Sequence, residues 1–251
     1  MIDLDIILPT YNSKKYIEEA INSVLNQTFR TWKLIIIDDG STDSTIELAK
    51  KFLADNRIKI KKLKKNKGQA FCRNLALRYS NSKYIAFIDA DDIWEKNKLK
   101  KQIQFMEDSN LDFSYTDFIS FKEINGIKKF NKEINLPEKF TYGSFIKNTS
   151  ICTSSMIIRR KKIGSAKFLK TVSCDDYFFK CKVLKNCGFA KKLGEKLTFY
   201  RISKNSVQGN KLKNVYSVWY INKRYNKMNF ISNIFSLLSI SFNSIKKYGF
   251  K

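Results

Sequence analysis

The carboxylates of this chain gather where apolar runs stop. Asp38 and Asp39 follow the run 32–37, and Asp89, Asp91 and Asp92 follow the run 84–88. Successive strand residues point to opposite faces, so Asp89 and Asp91, two apart, can face the same way. Two carboxylates side by side repel unless a cation lies between them, and oxygen-only ligation suits Mg²⁺ or Mn²⁺, which also bind diphosphate oxygens. A single Asp at a strand end reads as a helix cap or turn residue; several strand ends carrying acids together are harder to assign that way. The chain has no His, which excludes an imidazole base, a His-containing triad and the usual zinc catalytic sites. Chemistry falls to carboxylates, hydroxyls, Lys, Arg or a metal held by oxygen.

The elements that must position these acids alternate. Residues 5–9 read as a buried strand, followed by a helix capped by Asn12 or Ser13, whose Ile17, Ala20, Ile21, Val24 and Leu25 share one face. Residues 32–37 form a second strand, and Ser41 to Asp43 offer caps to a helix carrying Ile46, Ala49 and Leu53. A half-exposed strand at 58–63, a helix at 69–79 and a buried strand at 84–88 follow. Repeated β-α-β units of this length imply a largely parallel sheet with right-handed crossovers, and ligands bind outside the carboxyl ends of such strands. The rhythm then changes to a helix at 96–108, short strands at 113–115 and 118–121, and a hairpin at Asn125-Gly126. A strand at 155–158, a helix at 176–185 and a last strand at 197–202 complete the reading.

Taken in order, Ile7-Leu8-Pro9-Thr10-Tyr11-Asn12, Ser23-Val24-Leu25-Asn26-Gln27-Thr28, Ile37-Asp38-Asp39-Gly40-Ser41-Thr42-Asp43, Asn66-Lys67-Gly68 with Arg73-Asn74, and Phe87-Ile88-Asp89-Ala90-Asp91-Asp92-Ile93-Trp94 resemble the family-2 inverting glycosyltransferases. The likeness continues through Cys174-Asp175-Asp176-Tyr177 and Tyr200-Arg201-Ile202-Ser203. It implies a GT-A (Rossmann-like) α/β fold with a mixed, mainly parallel sheet flanked by helices. It implies a donor such as a UDP- or dTDP-sugar, Mn²⁺ or Mg²⁺ as cofactor, and a glycan or lipid-linked acceptor of bacterial cell-surface polysaccharide or lipopolysaccharide synthesis. Pro9, Thr10, Tyr11 and Asp39 would line the base pocket with Asp38 behind it; Arg73, Asp89 and Ala90 would lie by the nucleotide sugar. Asp91, with Asp89, would ligate the metal, Arg201 would meet diphosphate charge, and Asp176 matches the catalytic base. Two departures stand out: Asp175-Asp176 replaces the family's Glu-Asp, and Ser203 stands where the family carries a late His.

Composition bounds the alternatives. The 251 residues, 43% hydrophobic with only 2 Pro and 9 Gly, suffice for one large α/β domain plus an appendage. We expect a glycosyltransferase domain over 1–210, with a nucleotide-binding half at 1–94 and an acceptor half at 95–210, and a basic amphipathic helical tail at 211–251. The formal charge of +25 implies an anionic partner or compositional drift, since the Lys residues are spread. A nucleic-acid binder is disfavoured by the lack of a zinc, RNP-like or basic-zipper motif. A sugar-nucleotide-forming nucleotidyltransferase would favour a Gly-rich loop where Pro9-Thr10-Tyr11-Asn12 stands, and a catalytically impaired relative stays open through Ser203. In the tail, Ile231, Ile234, Leu238, Phe242 and Ile245 form an apolar stripe flanked by Lys227, Lys246 and Lys247. Such a helix either lies on an anionic membrane surface or packs on the domain. With no signal-like start, the expected location is cytoplasmic, peripheral on the inner membrane face if the tail binds lipid. The five cysteines lack metal or redox spacing and read as reduced thiols.

Overall fold

The computed structural model describes residues 3–131, 136–202 and 211–248. Strand β1 (Leu4–Thr10), helix α1 (Ile17–Leu25), β2 (Trp32–Asp38), α2 (Thr45–Lys50), β3 (Ile58–Lys62), α3 (Gln69–Tyr79) and β4 (Tyr84–Phe87) form the first half. Their strands run in spatial order β3-β2-β1-β4, all parallel. β1 and β2 are buried along almost their whole length, as expected of parallel strands covered on both faces. One core, with Leu4, Ile6, Leu8, Trp32, Leu34 and Ile36, lies under α1; the other, with Ile7, Ile35, Ile37, Ile85 and Phe87, lies under α3. The alternation of strand side chains between the two faces produces that division.

The second half contains β5 (Ile93–Trp94), α4 (Lys98–Asp108), β6 (Phe113–Ile124), β7 (Ile127–Phe130), β8 (Lys139–Thr141), α5 (Tyr142–Phe145), β9 (Ile157–Arg159), α6 (Tyr177–Cys187) and β10 (Phe189–Arg201). β9 pairs antiparallel with both β4 and β6, so β6 regains the direction of β4, and β10 runs parallel to β6. This topology decides the function of the sheet. The carboxyl ends of β1, β2, β4, β6 and β10, and the amino end of β9, all open on one rim.

Some elements differ from expectation. Neither Asn12 nor Ser13 caps α1, which begins after Tyr16; Asn12 sits at φ 47° and its side-chain oxygen accepts instead from Thr42 N at 2.9 Å. Leu53 lies beyond α2 and is exposed. The runs at 113–115 and 118–121 are one continuous strand, because long pairing with β10 bridges the polar residues between them. The last strand likewise starts at Phe189, and its Lys-rich first part pairs with β6 and β8. Asn125 and Gly126 both take positive φ, as a two-residue hairpin requires. The tail is two helices, α7 (Lys211–Arg224) and α8 (Phe230–Tyr248), rather than one.

Candidate active site

The rim is built by short-range hydrogen bonding at each strand end. At the end of β2, the buried Asp38 carboxylate accepts from the Ser41 amide at 3.1 Å and from the Ser41 hydroxyl, and Ser41 Oγ accepts from Asn12 N at 2.9 Å. Asp38 therefore fixes the turn that carries Tyr11, whose ring is exposed beside the buried Pro9 and Thr10. Asp39 donates its amide to Thr10 O at 2.8 Å. Its two carboxylate oxygens accept from Lys67 N at 2.7 Å and Gly68 N at 2.8 Å, which anchors the loop leading into α3. Gly40 is required here: at φ +76° a Cβ would meet the Lys65 carbonyl carbon at 3.0 Å.

From α3 rises Arg73, fully buried, with one Nη on Asp89 at 2.5 Å and the other on Asp175 at 3.2 Å. Burial opposes its charge, but Asp89 and Asp175 more than compensate and raise its pKa further. Two polar atoms of the rim, Thr10 Oγ1 and Arg73 Nε, are buried without a protein partner among the described residues. Ser154, in the turn before β9, accepts from Asp89 N at 3.1 Å and donates to Asp92. Asp92 also accepts from the Arg201 amide at 3.0 Å, while Arg201 Nε donates to Asp91 O at 2.9 Å. The Arg201 guanidinium is buried between Glu19 and Glu123 and stacks over Tyr16 and Phe121. It thus holds the 89–92 turn from behind.

Asp176 precedes the first residue of α6. Its Oδ2 accepts from Lys180 Nζ and from Thr153 Oγ1, both at 2.5 Å, and its side chain keeps 27% of its surface exposed while Lys180 keeps 4%. Lys180 is itself anchored on Ile151 O at 2.7 Å. Burial works against ionisation of Asp176, but the Lys180 charge and the two hydrogen bonds prevail and hold its pKa at about 2. Asp175 is pushed the other way, up to about 6, by burial first; Arg73 opposes this, and the negative charges of Asp176 and Asp89 add to it. The two adjacent carboxyls are thus pushed in opposite directions, Asp176 down and Asp175 up.

Thr153, Ser154 and Arg73 join these acids into one hydrogen-bonded rim, with Asp39 tied to it through Gly68 at the start of α3. Pro9, Thr10, Tyr11, Asp38, Asp39, Arg73, Asp89, Ala90, Asp91, Asp176 and Arg201 all lie along it. Ser203 falls outside the described residues. The sequence reading missed Lys180, Thr153, Ser154, Glu19 and Glu123. The spacing of Asp176 and Lys180, one helical turn apart, was the one legible signal among them. Gln27 proves to be a buried structural hub, donating to Glu95 O at 2.7 Å and accepting from Leu99 N at 3.0 Å.

At one part of this rim the chemistry of the side chain is compatible with a divalent ion. The Asp91 carboxyl is pushed up to about 6 by burial and then by the negative charge of Asp89, a repulsion that a cation would relieve. Among the described residues no three His, Cys, Asp or Glu side chains gather as a metal cage, so Asp91 would hold an ion together with ligand phosphate oxygens. Beside the rim a cleft of about 610 Å³ is lined by Lys65, Lys67, Lys167 and Lys170 with Phe71 and Phe168, a surface suited to anionic ligands.

The parallel β-α-β half thus presents acids and an exposed ring at its carboxyl rim, and the mixed half brings Asp176 to the same rim. Residues 5–165 match Glycosyl transferase family 2, and the chain belongs to that family; it is a glycosyltransferase. It is 33% identical over 245 residues to the putative teichuronic acid biosynthesis glycosyltransferase TuaG of Bacillus subtilis, covering 97% of this chain and 96% of that one. It is 34% identical over 254 residues to the UDP-Glc:α-D-GlcNAc-diphosphoundecaprenol β-1,3-glucosyltransferase WfgD of Escherichia coli, covering 98% and 95%. Among solved structures, S. aureus TarS 1–349 in complex with UDP-GlcNAc superposes with a TM-score of 0.74 at 20% identity, over 97% of this chain and 73% of that one. That likeness establishes the GT-A fold.

Proposed function

We propose that this glycosyltransferase moves a sugar from a UDP- or dTDP-sugar to an acceptor hydroxyl with inversion, with Asp176 as the base, in the synthesis of a bacterial cell-surface polysaccharide. The observation that carries the reading is Asp176 itself: an ionised, partly exposed carboxylate on the same hydrogen-bonded rim as Asp39, Asp89 and Asp91. Asp176 takes the proton of the attacking hydroxyl as the bond to the anomeric carbon forms and the nucleoside diphosphate leaves from the opposite face. Tyr11 offers a stacking face to the base, with Thr10 and Asp39 beneath it. The buried Arg73 keeps Asp89 oriented toward the sugar nucleotide. Bound at Asp91, Mn²⁺ or Mg²⁺ would neutralise charge on the departing diphosphate. The relatives' printed activities support the acceptor class: WfgD acts on a diphosphoundecaprenol-linked sugar, and the four cleft lysines match the charge of such an acceptor.

A thermal-shift panel of UDP-, dTDP- and GDP-sugars with and without Mn²⁺ tests this. A ligand at about 100 times its Kd stabilises by ~2.7 kcal/mol, which for a chain of this size corresponds to a rise of roughly 5–10 °C. A UDP- or dTDP-sugar should give that rise in the presence of Mn²⁺ and a smaller one without it. A flat panel, or a response confined to GDP-sugars, would overturn the donor assignment.

A further inference from the structure

Helix α8 is inside out. Its polar residues Asn233 and Ser236 are 1% exposed and face the protein. Ser236 Oγ donates to Ile146 O at 2.6 Å, and Asn222 of α7 donates to both Asn233 and Ser236 at 3.1 Å. Tyr177 of α6 donates to the same Asn222 at 2.9 Å, so the helix pair is fastened to the catalytic half by a polar network, with Leu237, Ile240, Val218 and Ile221 joining the core. The opposite stripe, Ile231, Phe235, Leu238, Phe242 and Ile245, follows i, i+4, i+7 spacing and points into solvent. Phe235, Leu238 and Phe242 are 63%, 63% and 69% exposed. An ordinary surface helix has the reverse arrangement, and a contiguous apolar face of this kind marks an interaction surface.

Charge identifies the occupant. From Lys211 to Tyr248 the chain carries seven Lys or Arg and no Asp or Glu, and Lys223, Arg224 and Lys227 are exposed at the α7–α8 junction. A second copy docking through this same face would set two basic surfaces against each other. An anionic bilayer satisfies both features, since apolar side chains enter the acyl boundary while Lys and Arg meet acidic headgroups. No helix among the described residues is long and apolar enough to cross a membrane. We propose that the α7–α8 pair is a membrane-docking device: α8 lies in the plane of an anionic lipid surface with its Phe235–Leu238–Phe242 stripe inserted. This goes beyond sugar transfer and would hold whatever the donor.

The test uses the full chain and vesicles of 70:30 phosphatidylcholine:phosphatidylglycerol, compared with pure phosphatidylcholine, in a flotation assay. The expected result is binding to the mixed vesicles at least tenfold stronger than to the neutral ones, weakened by 0.5 M salt. The variant F235S/L238S/F242S, altered only at exposed positions, should lose at least tenfold of that binding with its thermal midpoint and donor-induced shift unchanged. Lys223→Glu/Arg224→Glu/Lys227→Glu should lose binding to mixed vesicles alone. Absence of wild-type binding, or equal binding by wild type and the apolar variant, would overturn the proposal. A wild-type dimer that the apolar variant converts to monomer, with vesicle binding unaltered, would assign the face to a second copy instead.

Discussion

Lys180→Met removes the charge that locks Asp176 while keeping the length of the side chain. In the native protein Lys180 Nζ lies 2.5 Å from Asp176 Oδ2, and the carboxyl is held at about 2, below its ordinary 3.8. Holding the carboxyl below its ordinary value contributes folding stability on the order of 2–3 kcal/mol. The sign is that of a lowered acid: the contribution is full above the unfolded value near 4 and is lost as pH falls through about 2. With the lysine gone, burial is opposed by the Thr153 hydrogen bond and the Arg73 charge alone, and the carboxyl moves up from its native value. The orphaned charge then opposes folding at neutral pH and ceases to do so as it takes up a proton. Urea unfolding of wild type and Lys180→Met between pH 8 and pH 4.5 should therefore show a gap on the order of 2–3 kcal/mol at pH 8 that narrows on acidification. In the Asp176→Asn background the same lysine substitution should give a smaller, pH-independent effect. A gap that stays constant from pH 8 to pH 4.5 in the native background would mean that Lys180 contributes packing alone, and the locking argument would fail.

Two further outcomes follow from the rim. Asp91→Asn should abolish the Mn²⁺-dependent part of donor binding while leaving the thermal midpoint without ligand within roughly 2–4 °C of wild type, read by thermal shift with and without EDTA; unchanged metal dependence would remove Asp91 from the metal site. Gly40→Ala forces a Cβ against the Lys65 backbone at positive φ and should cost roughly 1–3 kcal/mol, measured by urea denaturation, and raise the donor KM by displacing the Lys67–Gly68 amides from Asp39.

Most of the first half was legible because its signals are local. Apolar runs bounded by Asp38-Asp39-Gly40 and Asp89-Ala90-Asp91 mark the strands and their ends, and the 69–79 helix falls on the predicted residues. What escaped is set by tertiary pairing. β6 and β10 extend through Asp117 and the Lys-rich 191–196 stretch because each supplies the other's hydrogen bonds, which no local pattern announces. Asn12 has the composition of a helix cap, yet Ser41 and Thr42, brought near by the β1–β2 register, recruit it to the turn below Tyr11. The positions of Asp39, Asp89, Asp91 and Asp176 along one rim agree with the chain order of the motifs. Thr153 and Ser154, which tie Asp176 to Asp89 and Asp92, sit in a polar turn with no sequence signature. The tail's apolar stripe was visible as a periodicity, but only the fold reveals that it faces outward and that Asn233 and Ser236 face in.

The central claim, that Asp176 is the base on a rim that binds the donor independently of it, is tested most directly by Asp176→Asn. Turnover with donor and acceptor, and donor binding by calorimetry, should be measured on the same preparation. We predict that kcat falls by roughly 10²–10⁴-fold while the donor Kd changes by less than about threefold. Wild-type turnover in Asp176→Asn, with the donor still bound, would contradict the account.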